Sequence, residues 1–170
     1  MDIKKVRIVN DFPVPGIKFY DITTILNDAT EFQCIFNELV VEAKRMRPDV
    51  IVALEARGYL FGPSLALALN VPFVPIRKKG KLPYQTYKEN YQLEYGIATI
   101  EIHVDAIKPQ QRVLLFDDIL ATGGTSTAAI NLIEKFDPTT ISLLFLFELK
   151  ELNGRSQIKE VEEIKSLAVV

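Results

Sequence analysis

The sequence predicts an α/β fold, a mostly parallel twisted sheet flanked by helices. Three observations predict it. The stretches 50–54, 113–116 and 141–149 read as strands buried on both faces. Helical periodicities separate them, and that alternation of strand and helix is the pattern of parallel sheets with helices on both sides. The chain is 170 residues long with 48% hydrophobic and 25% charged residues, which suits one domain with one substantial core.

In chain order, residues 11–19 contain two prolines and a glycine, so neither a regular helix nor a central strand is expected there. Residues 30–46 place Phe32, Ile35, Phe36, Leu39, Val40 and Ala43 on one helical face, with Thr30 as the expected N-cap and Pro48 as the stop. Val50–Leu54 is a fully apolar strand, followed by Glu55-Ala-Arg-Gly58 and a helix reaching Leu69. Val71–Ile76 is the next strand and leads into Arg77, Lys78, Lys79 and Lys81. Residues 81–91, polar and aromatic with Pro83, Tyr84, Tyr87 and Tyr91, predict a mobile loop or flap. Residues 92–104 alternate, with Ile100, Ile102 and Val104 facing one way and Glu101 and His103 the other: a half-exposed strand, antiparallel to its neighbour. After the strand at 112–117 comes a helix carrying Ala128, Ala129, Leu132, Ile133 and Phe136, then the strand Ile141–Leu149, a short helical piece and a last strand near 164–169.

The composition excludes several classes of function. Twenty Lys and Arg against 22 Asp and Glu give a net charge of -2, which argues against a broad nucleic-acid or membrane face. Cys34 is the only cysteine, so neither an intrachain disulfide nor a multi-cysteine zinc site can form. With His103 as the only histidine, a histidine-based triad is not expected. No signal peptide and no apolar run approaching 18 residues is present, so a cytoplasmic protein is expected. There is no G-x-x-x-x-G-K-[ST] motif, which sets aside ATP hydrolysis of that kind.

The segment richest in chemistry is Val113-Leu-Leu-Phe-Asp-Asp-Ile-Leu-Ala-Thr-Gly-Gly-Thr125. A buried strand runs into two adjacent carboxylates, Asp117 and Asp118, then a glycine turn and a helix start. The glycines let main-chain N–H groups converge, and first-turn amides have no partners within their helix, so Ala121, Thr122, Gly123, Gly124 and Thr125 form an anion cradle. Carboxylates beside such a cradle repel a bare phosphate and call for hydroxyl donors. A ribose carrying a 5′-phosphate offers both. Arg57, after a buried strand, and the run Arg77 to Lys81, after the next, put basic groups along one sheet edge, where pyrophosphate fits.

Together these segments resemble the type I phosphoribosyltransferases, and within them the adenine-specific branch. The resemblance rests on the Val113–Thr125 run and on Phe12-Pro-Val-Pro-Gly-Ile-Lys-Phe-Tyr-Asp-Ile-Thr23, Glu55-Ala-Arg-Gly-Tyr-Leu-Phe-Gly-Pro63, Lys78-Lys-Gly-Lys-Leu-Pro83, Leu93-Glu-Tyr-Gly96, and Glu148-Leu followed by Asn153-Gly-Arg155. It implies one domain over 1–170, with a small hood at about 1–30 and a flexible flap at about 81–95. It implies purine salvage: adenine and phosphoribosyl pyrophosphate give AMP and pyrophosphate, with Mg²⁺ as cofactor held by no direct protein ligand. By resemblance, residues 121–125 hold the 5′-phosphate, and Asp117 and Asp118 accept from the ribose hydroxyls. Arg57, Arg77, Lys78 and Lys81 face pyrophosphate. Phe19 and Ile119 sandwich the purine, main chain at Ile17, Lys18 and Phe19 reads its edge, and Leu149 forms a further wall. Glu94, on the flap, exchanges a proton with the base. Tyr20 departs from the family, many members of which carry a basic residue there. The resemblance also implies a homodimer with small-molecule substrates, and neither nucleic acid nor membrane as partner. Two rival readings stand beside it at this level: a transferase for another base, and a regulator that binds the sugar phosphate without turnover.

Overall fold

The computed structural model describes residues 5–12, 14–92 and 96–170. They fall into two compact units, Met1–Glu38 and Leu39–Val170.

In the first unit, β1 (Arg7–Asn10) pairs antiparallel with β2 (Lys18–Asp21), Arg7 opposite Asp21 and Asn10 opposite Lys18. The described residues between them, 11, 12 and 14–17, form neither helix nor strand, which Pro15 and Gly16 favour. Asp11 Oδ1 accepts the Gly16 N–H at 2.7 Å, and the Phe12 and Phe19 rings meet edge to face at 5.2 Å. This hairpin was not foreseen: β1 is exposed along its whole length and carries no buried pattern to read. Arg7 donates twice to Asp21 Oδ2, at 3.0 and 2.7 Å. Asp21 Oδ1 accepts from Thr23 at the start of the short helix α1 (Thr23–Leu26).

Helix α2 (Ala29–Met46) begins in the first unit and ends in the second, and Ile35, Leu39, Ala43 and Met46 form its buried stripe. Its cap corrects the expectation of Thr30. Asp28 Oδ1 accepts the N–H groups of Thr30 and Glu31 at 2.9 and 3.1 Å, because the carboxylate one residue before the helix reaches both unpaired amides, whereas Thr30 already lies inside the first turn. Pro48 ends the helix as expected, after Arg47 turns to φ 50°.

The second unit is built on a seven-stranded sheet, ordered β5 (Thr86–Gln92), β6 (Ile97–His103), β4 (Phe73–Lys78), β3 (Val50–Leu54), β7 (Arg112–Leu120), β8 (Thr140–Glu148) and β9 (Glu163–Val169). Strands β4, β3, β7, β8 and β9 are parallel, and β6 and β5 add an antiparallel hairpin at one edge. Helix α4 (Gly124–Glu134) packs Ala128, Ala129, Leu132 and Ile133 on the face carrying Val52, Leu54, Leu115 and Phe145. Helix α3 (Gly62–Leu69) covers the other face, where Gly62 lies so close to Ala53 that a Cβ on the glycine would sit 2.8 Å from the alanine methyl. Helices on both faces of a mostly parallel sheet are what the alternating pattern predicts. Among the described residues, no helix is long and apolar enough to cross a membrane.

Three local expectations are corrected. Residues 86–92 form strand β5 rather than loop; Tyr91 packs on the core, Tyr87 meets Phe136 at 5.4 Å, and Glu89 accepts from Asn131 of α4 at 3.0 Å. The segment after β3 makes a 3₁₀ turn, Arg57–Leu60, before α3 begins at Gly62. Glu101, expected on the open face of β6, is only 2% exposed, because the 80–82 turn folds over it.

The order of the strands places the site. From β3 the chain crosses to β4 on one side, whereas β7, its other neighbour, is followed by β8 and β9 on the opposite side. Where connections leave two adjacent parallel strands in opposite directions, a crevice opens beyond their carboxyl ends. The Glu55–Gly58 turn and the Asp117–Asp118 pair both lie there.

Candidate active site

Strand β7 runs past its apolar residues to Leu120, so both acids lie within its last turn of register: Asp117 opposite Phe145 on β8, Ile119 opposite Phe147. Asp118 is 1% exposed, and the Arg57 guanidinium stands 2.8 Å from its Oδ2. That contact is an ion pair without hydrogen-bond alignment, so the oxygen is buried with no aligned donor. The Asp118 main-chain N–H donates to Asp117 Oδ1 at 2.9 Å. Burial, and next the neighbouring Asp118 charge, push the Asp117 carboxyl well above the ordinary 3.8. Burial likewise raises Asp118, with Arg57 opposing. Gly58 lets the turn lie against this strand end: a Cβ there would come within 3.1 Å of the Phe116 carbonyl and 3.2 Å of Asp117 Oδ1. Tyr59 O–H donates to the Ile76 carbonyl at 2.7 Å and ties the turn to β4.

Beyond β7 the chain turns through Ala121–Gly123 into α4. Gly123 takes φ +86°, and no side chain caps the helix, so the first-turn amides of Gly124 and Thr125 have no capping acceptor. The turn has a support that the sequence reading named only as part of a motif. Gly154 lies directly against it: a Cβ on Gly154 would meet the Ala121 carbonyl at 2.1 Å and the Gly123 nitrogen at 2.8 Å. Gly154 is delivered by a pair of 3₁₀ turns held by Arg155. Its guanidinium binds the buried Glu148 carboxylate at the end of β8 and donates to the Ile164 carbonyl of β9 at 2.8 Å, while Ser166 donates to Glu148 at 3.2 Å. Arg155 holds Glu148 below the ordinary carboxylate range. At the chain end, Lys150 N–H donates to the Val170 carbonyl and Val170 N–H to the Glu148 carbonyl.

A cavity of about 520 Å³ opens on the helix side of the turn, lined by Thr122, Gly124, Thr127 and Asn131 with Asn90 of β5 and Leu152. The Asp117–Asp118 pair does not line it; the acids face the crevice between β3 and β7.

Arg77 and Lys78 are the last residues of β4. Arg77 Nε donates to Glu55 Oε2 at 3.1 Å, its Nη1 to the Lys81 carbonyl at 3.0 Å, and Lys78 N–H to Glu55 at 3.2 Å. The hydrogen bonds from Arg77 hold Glu55 below the ordinary carboxylate range. Of the basic groups expected on this edge, Arg77 is thus engaged with Glu55, while Lys78 and Lys81 are exposed.

The structure brings Arg57, Asp117, Asp118 and Ile119 together at the crevice, with residues 121–125 following. Leu149 is half-buried beside them, its N–H donating to the Leu120 carbonyl at 2.9 Å. Ile17, Lys18 and Phe19 belong to the first unit, at the start of β2. Glu94 lies outside the described residues. Sequence reasoning missed Glu55, Glu101 and Gly154; for the first two the available signal was a lone acid next to a buried apolar run.

Comparison with known proteins bears on the chain as a whole. The phosphoribosyl transferase domain family matches residues 23–168. The chain is 49% identical over 168 residues to an adenine phosphoribosyltransferase of Brevibacillus brevis, covering 98% of each. It superposes with a TM-score of 0.93 on the crystal structure of adenine phosphoribosyltransferase from Thermoanaerobacter pseudethanolicus, at 45% identity and covering 99% of this chain and 98% of that one. The yeast Saccharomyces cerevisiae enzyme, crystallised with an imino-altritol bisphosphate and adenine, matches at a TM-score of 0.92 and 38% identity, covering 98% and 96%. At this identity over nearly its whole length, the chain belongs to the adenine phosphoribosyltransferase family.

Proposed function

We propose that this protein transfers the 5-phosphoribosyl group of phosphoribosyl pyrophosphate to N9 of adenine, releasing pyrophosphate and giving AMP in purine salvage. The observation that carries the reading is the buried Asp117–Asp118 pair at the β3–β7 crevice, with a glycine turn and uncapped helix start on one side and Arg57 on the other. Asp118 Oδ2, buried without an aligned donor, suits a sugar hydroxyl. Incubation with adenine, phosphoribosyl pyrophosphate and Mg²⁺ is expected to yield AMP. Hypoxanthine or guanine turned over in preference to adenine would overturn the choice of base.

In this reading the C1′–O bond to pyrophosphate breaks as the N9–C1′ bond forms, and positive charge develops at C1′. Arg57, Arg77, Lys78 and Lys81 stabilise the departing polyanion, Arg77 from its place on Glu55. Main chain of 121–125 holds the 5′-phosphate, and Asp117 and Asp118 orient the ribose. The family resemblance assigns Phe19, Ile119 and Leu149 to the purine ring and Ile17 to Phe19 to its edge. Glu94 takes the proton that leaves the base, and the 81–95 flap excludes water. Mg²⁺ fits this oxygen-rich site. The Asp117 and Asp118 carboxylates would stand beside it, with substrate oxygens and waters as the remaining ligands that an ion of this kind prefers. When bound it neutralises charge on the leaving group.

Asp117→Asn and Asp118→Asn are expected to raise KM for phosphoribosyl pyrophosphate about 10- to 100-fold, since charge-assisted bonds of this kind contribute roughly 1.5–3 kcal/mol each; unchanged saturation in both variants removes the hydroxyl assignment. The pH dependence has a definite sign. Hydroxyls donate to ionised carboxylates, so sugar-phosphate affinity falls as pH is lowered through the raised values. For the free protein the sign is opposite: carboxyls raised above their unfolded value contribute stability at low pH and lose it as pH rises.

We also assign the enzyme to the cytoplasm as a homodimer. Leu67 on α3 and Leu60 just before it are 83% and 41% exposed, apolar surface that a second copy would cover. Sedimentation equilibrium is expected to give twice the chain mass.

A further inference from the structure

We propose that Glu101 is a positioning residue for the basic segment Lys78–Lys81. Its buried carboxylate gathers the main-chain N–H groups of the 80–82 turn and thereby fixes where Lys78 and Lys81 present their ammonium groups to pyrophosphate. The inference rests on the pyrophosphate role given to those lysines above.

Glu101 sits on β6 between Ile100 and Ile102, which are 4% and 0% exposed, in a place where an apolar residue would be the ordinary choice. Among the described residues, no lysine or arginine forms an ion pair with it. Arg77 is its cross-strand partner on β4, yet the Arg77 guanidinium is turned to Glu55 and the Lys81 carbonyl. The donors to Glu101 come from the turn itself. Oε1 accepts both the Lys81 N–H at 3.0 Å and the Leu82 N–H at 3.1 Å, and Oε2 accepts the Thr86 hydroxyl at 3.3 Å. Burial pushes this carboxyl up, but the N–H groups of Leu82, Lys81 and Gly80 with the Thr86 hydroxyl outweigh it and hold the group below the ordinary range, so it is ionised at neutral pH.

The turn needs such an anchor. Gly80 takes φ +81°, and Arg77, Lys78, Lys79 and Lys81 bring four like charges into five residues. Left to repulsion, they would spread into solvent. Glu55 fixes the strand side of the segment through Arg77 and Lys78 N–H, and Glu101 fixes the far side through Lys81 and Leu82 N–H. Two acids pinned to the main chain leave the Lys78 and Lys81 side chains pointing outward and already placed, which lowers the ordering cost of binding a polyanion.

The geometry also selects the diagnostic variants. Both main-chain donors converge on one oxygen, so Glu101→Gln keeps that acceptor and turns its amide toward the Thr86 hydroxyl, which can accept. Glu101→Leu keeps the volume and removes both acceptors. For the full chain, Glu101→Leu is expected to raise KM for phosphoribosyl pyrophosphate, and for pyrophosphate in the reverse reaction, about tenfold or more. KM for adenine should stay within about threefold, and Glu101→Gln should restore near wild-type values. The inference is overturned if Glu101→Leu leaves the pyrophosphate KM unchanged, if adenine and pyrophosphate constants move together, or if Gln does no better than Leu. A measurement on the unaltered protein stands independently of any variant's folding: Lys81 and Leu82 amide hydrogens are expected to exchange slowly, and exchange at free-loop rates overturns the anchor. Lys81→Ala separates the two readings. If it leaves KM for pyrophosphate unchanged while those amides stay protected, the pyrophosphate role fails and the anchor stands.

Discussion

Gly154→Ala is expected to raise KM for phosphoribosyl pyrophosphate by about 10² or more, although residue 154 is assigned no contact with any substrate. The added methyl has nowhere to go. It would lie 2.1 Å from the Ala121 carbonyl and 2.8 Å from the Gly123 nitrogen, both of them main chain, so no side-chain rotation relieves it. Either the 121–124 turn shifts, which displaces the amides proposed to hold the 5′-phosphate, or the Arg155-bound segment lifts away. Overpacking of this kind costs about 1–3 kcal/mol, so the melting temperature should fall while the fold persists. The informative comparison is between substrates: the constant for the phosphorylated sugar should change far more than that for adenine. Equal KM values for the sugar phosphate in wild type and variant would show that the turn does not bind it.

Glu94→Ala is expected to lower kcat by about 10²- to 10⁴-fold, the usual contribution of a placed general acid or base, with little change in binding of phosphoribosyl pyrophosphate. Adenine must lose a ring N–H proton as its nitrogen bonds to C1′, and a carboxylate brought to that edge is the natural acceptor. The neighbouring structure suits this. Strand β5 ends at Gln92, whose carbonyl is 3.8 Å from where a Cβ on Gly124 would stand, so the hairpin leaves its last described residue beside the start of α4. A kcat equal to wild type removes the catalytic role. Retention of the acidic limb of the kcat–pH profile in the variant would assign that limb to another group.

The legible part of the fold was what apolar burial writes into residue order. Val50–Leu54 was read with its observed bounds because all five of its side chains are buried on two faces; β7 and β8 were legible for the same reason, although β7 runs past residue 117 to Leu120 and β8 spans Thr140–Glu148 rather than 141–149. The acid pair and the glycine turn were legible because polar residues break an apolar run at a strand end. What escaped had no such contrast. In β5 the sequence Thr86-Tyr-Lys-Glu-Asn-Tyr91 marks its packed face only with Tyr87 and Tyr91 around the charged Glu89, as an edge strand can, and so it read as loop. Glu101 was misplaced because alternation alone puts a charge outside, and only the fold of a distant turn makes a pocket of donors for it. Asp28 and Thr30 are both good caps, and backbone geometry chose between them. Gly154 is the clearest case. Nothing around residue 154 announces that its contact is with residue 121, since that proximity exists only once β8 and β7 lie side by side.

The Glu148–Arg155 clamp has a consequence for the order in which the working molecule is assembled during synthesis. Residues 117–125 leave the ribosome well before Gly154, and the carbonyl of Ile164 and hydroxyl of Ser166 that steady the clamp emerge later still. A nascent chain that already carries both aspartates and the glycine turn therefore lacks the backing that shapes the turn. If that turn holds the sugar phosphate as proposed, chains cut before β9 are expected to bind it more weakly than chains that reach past Ser166.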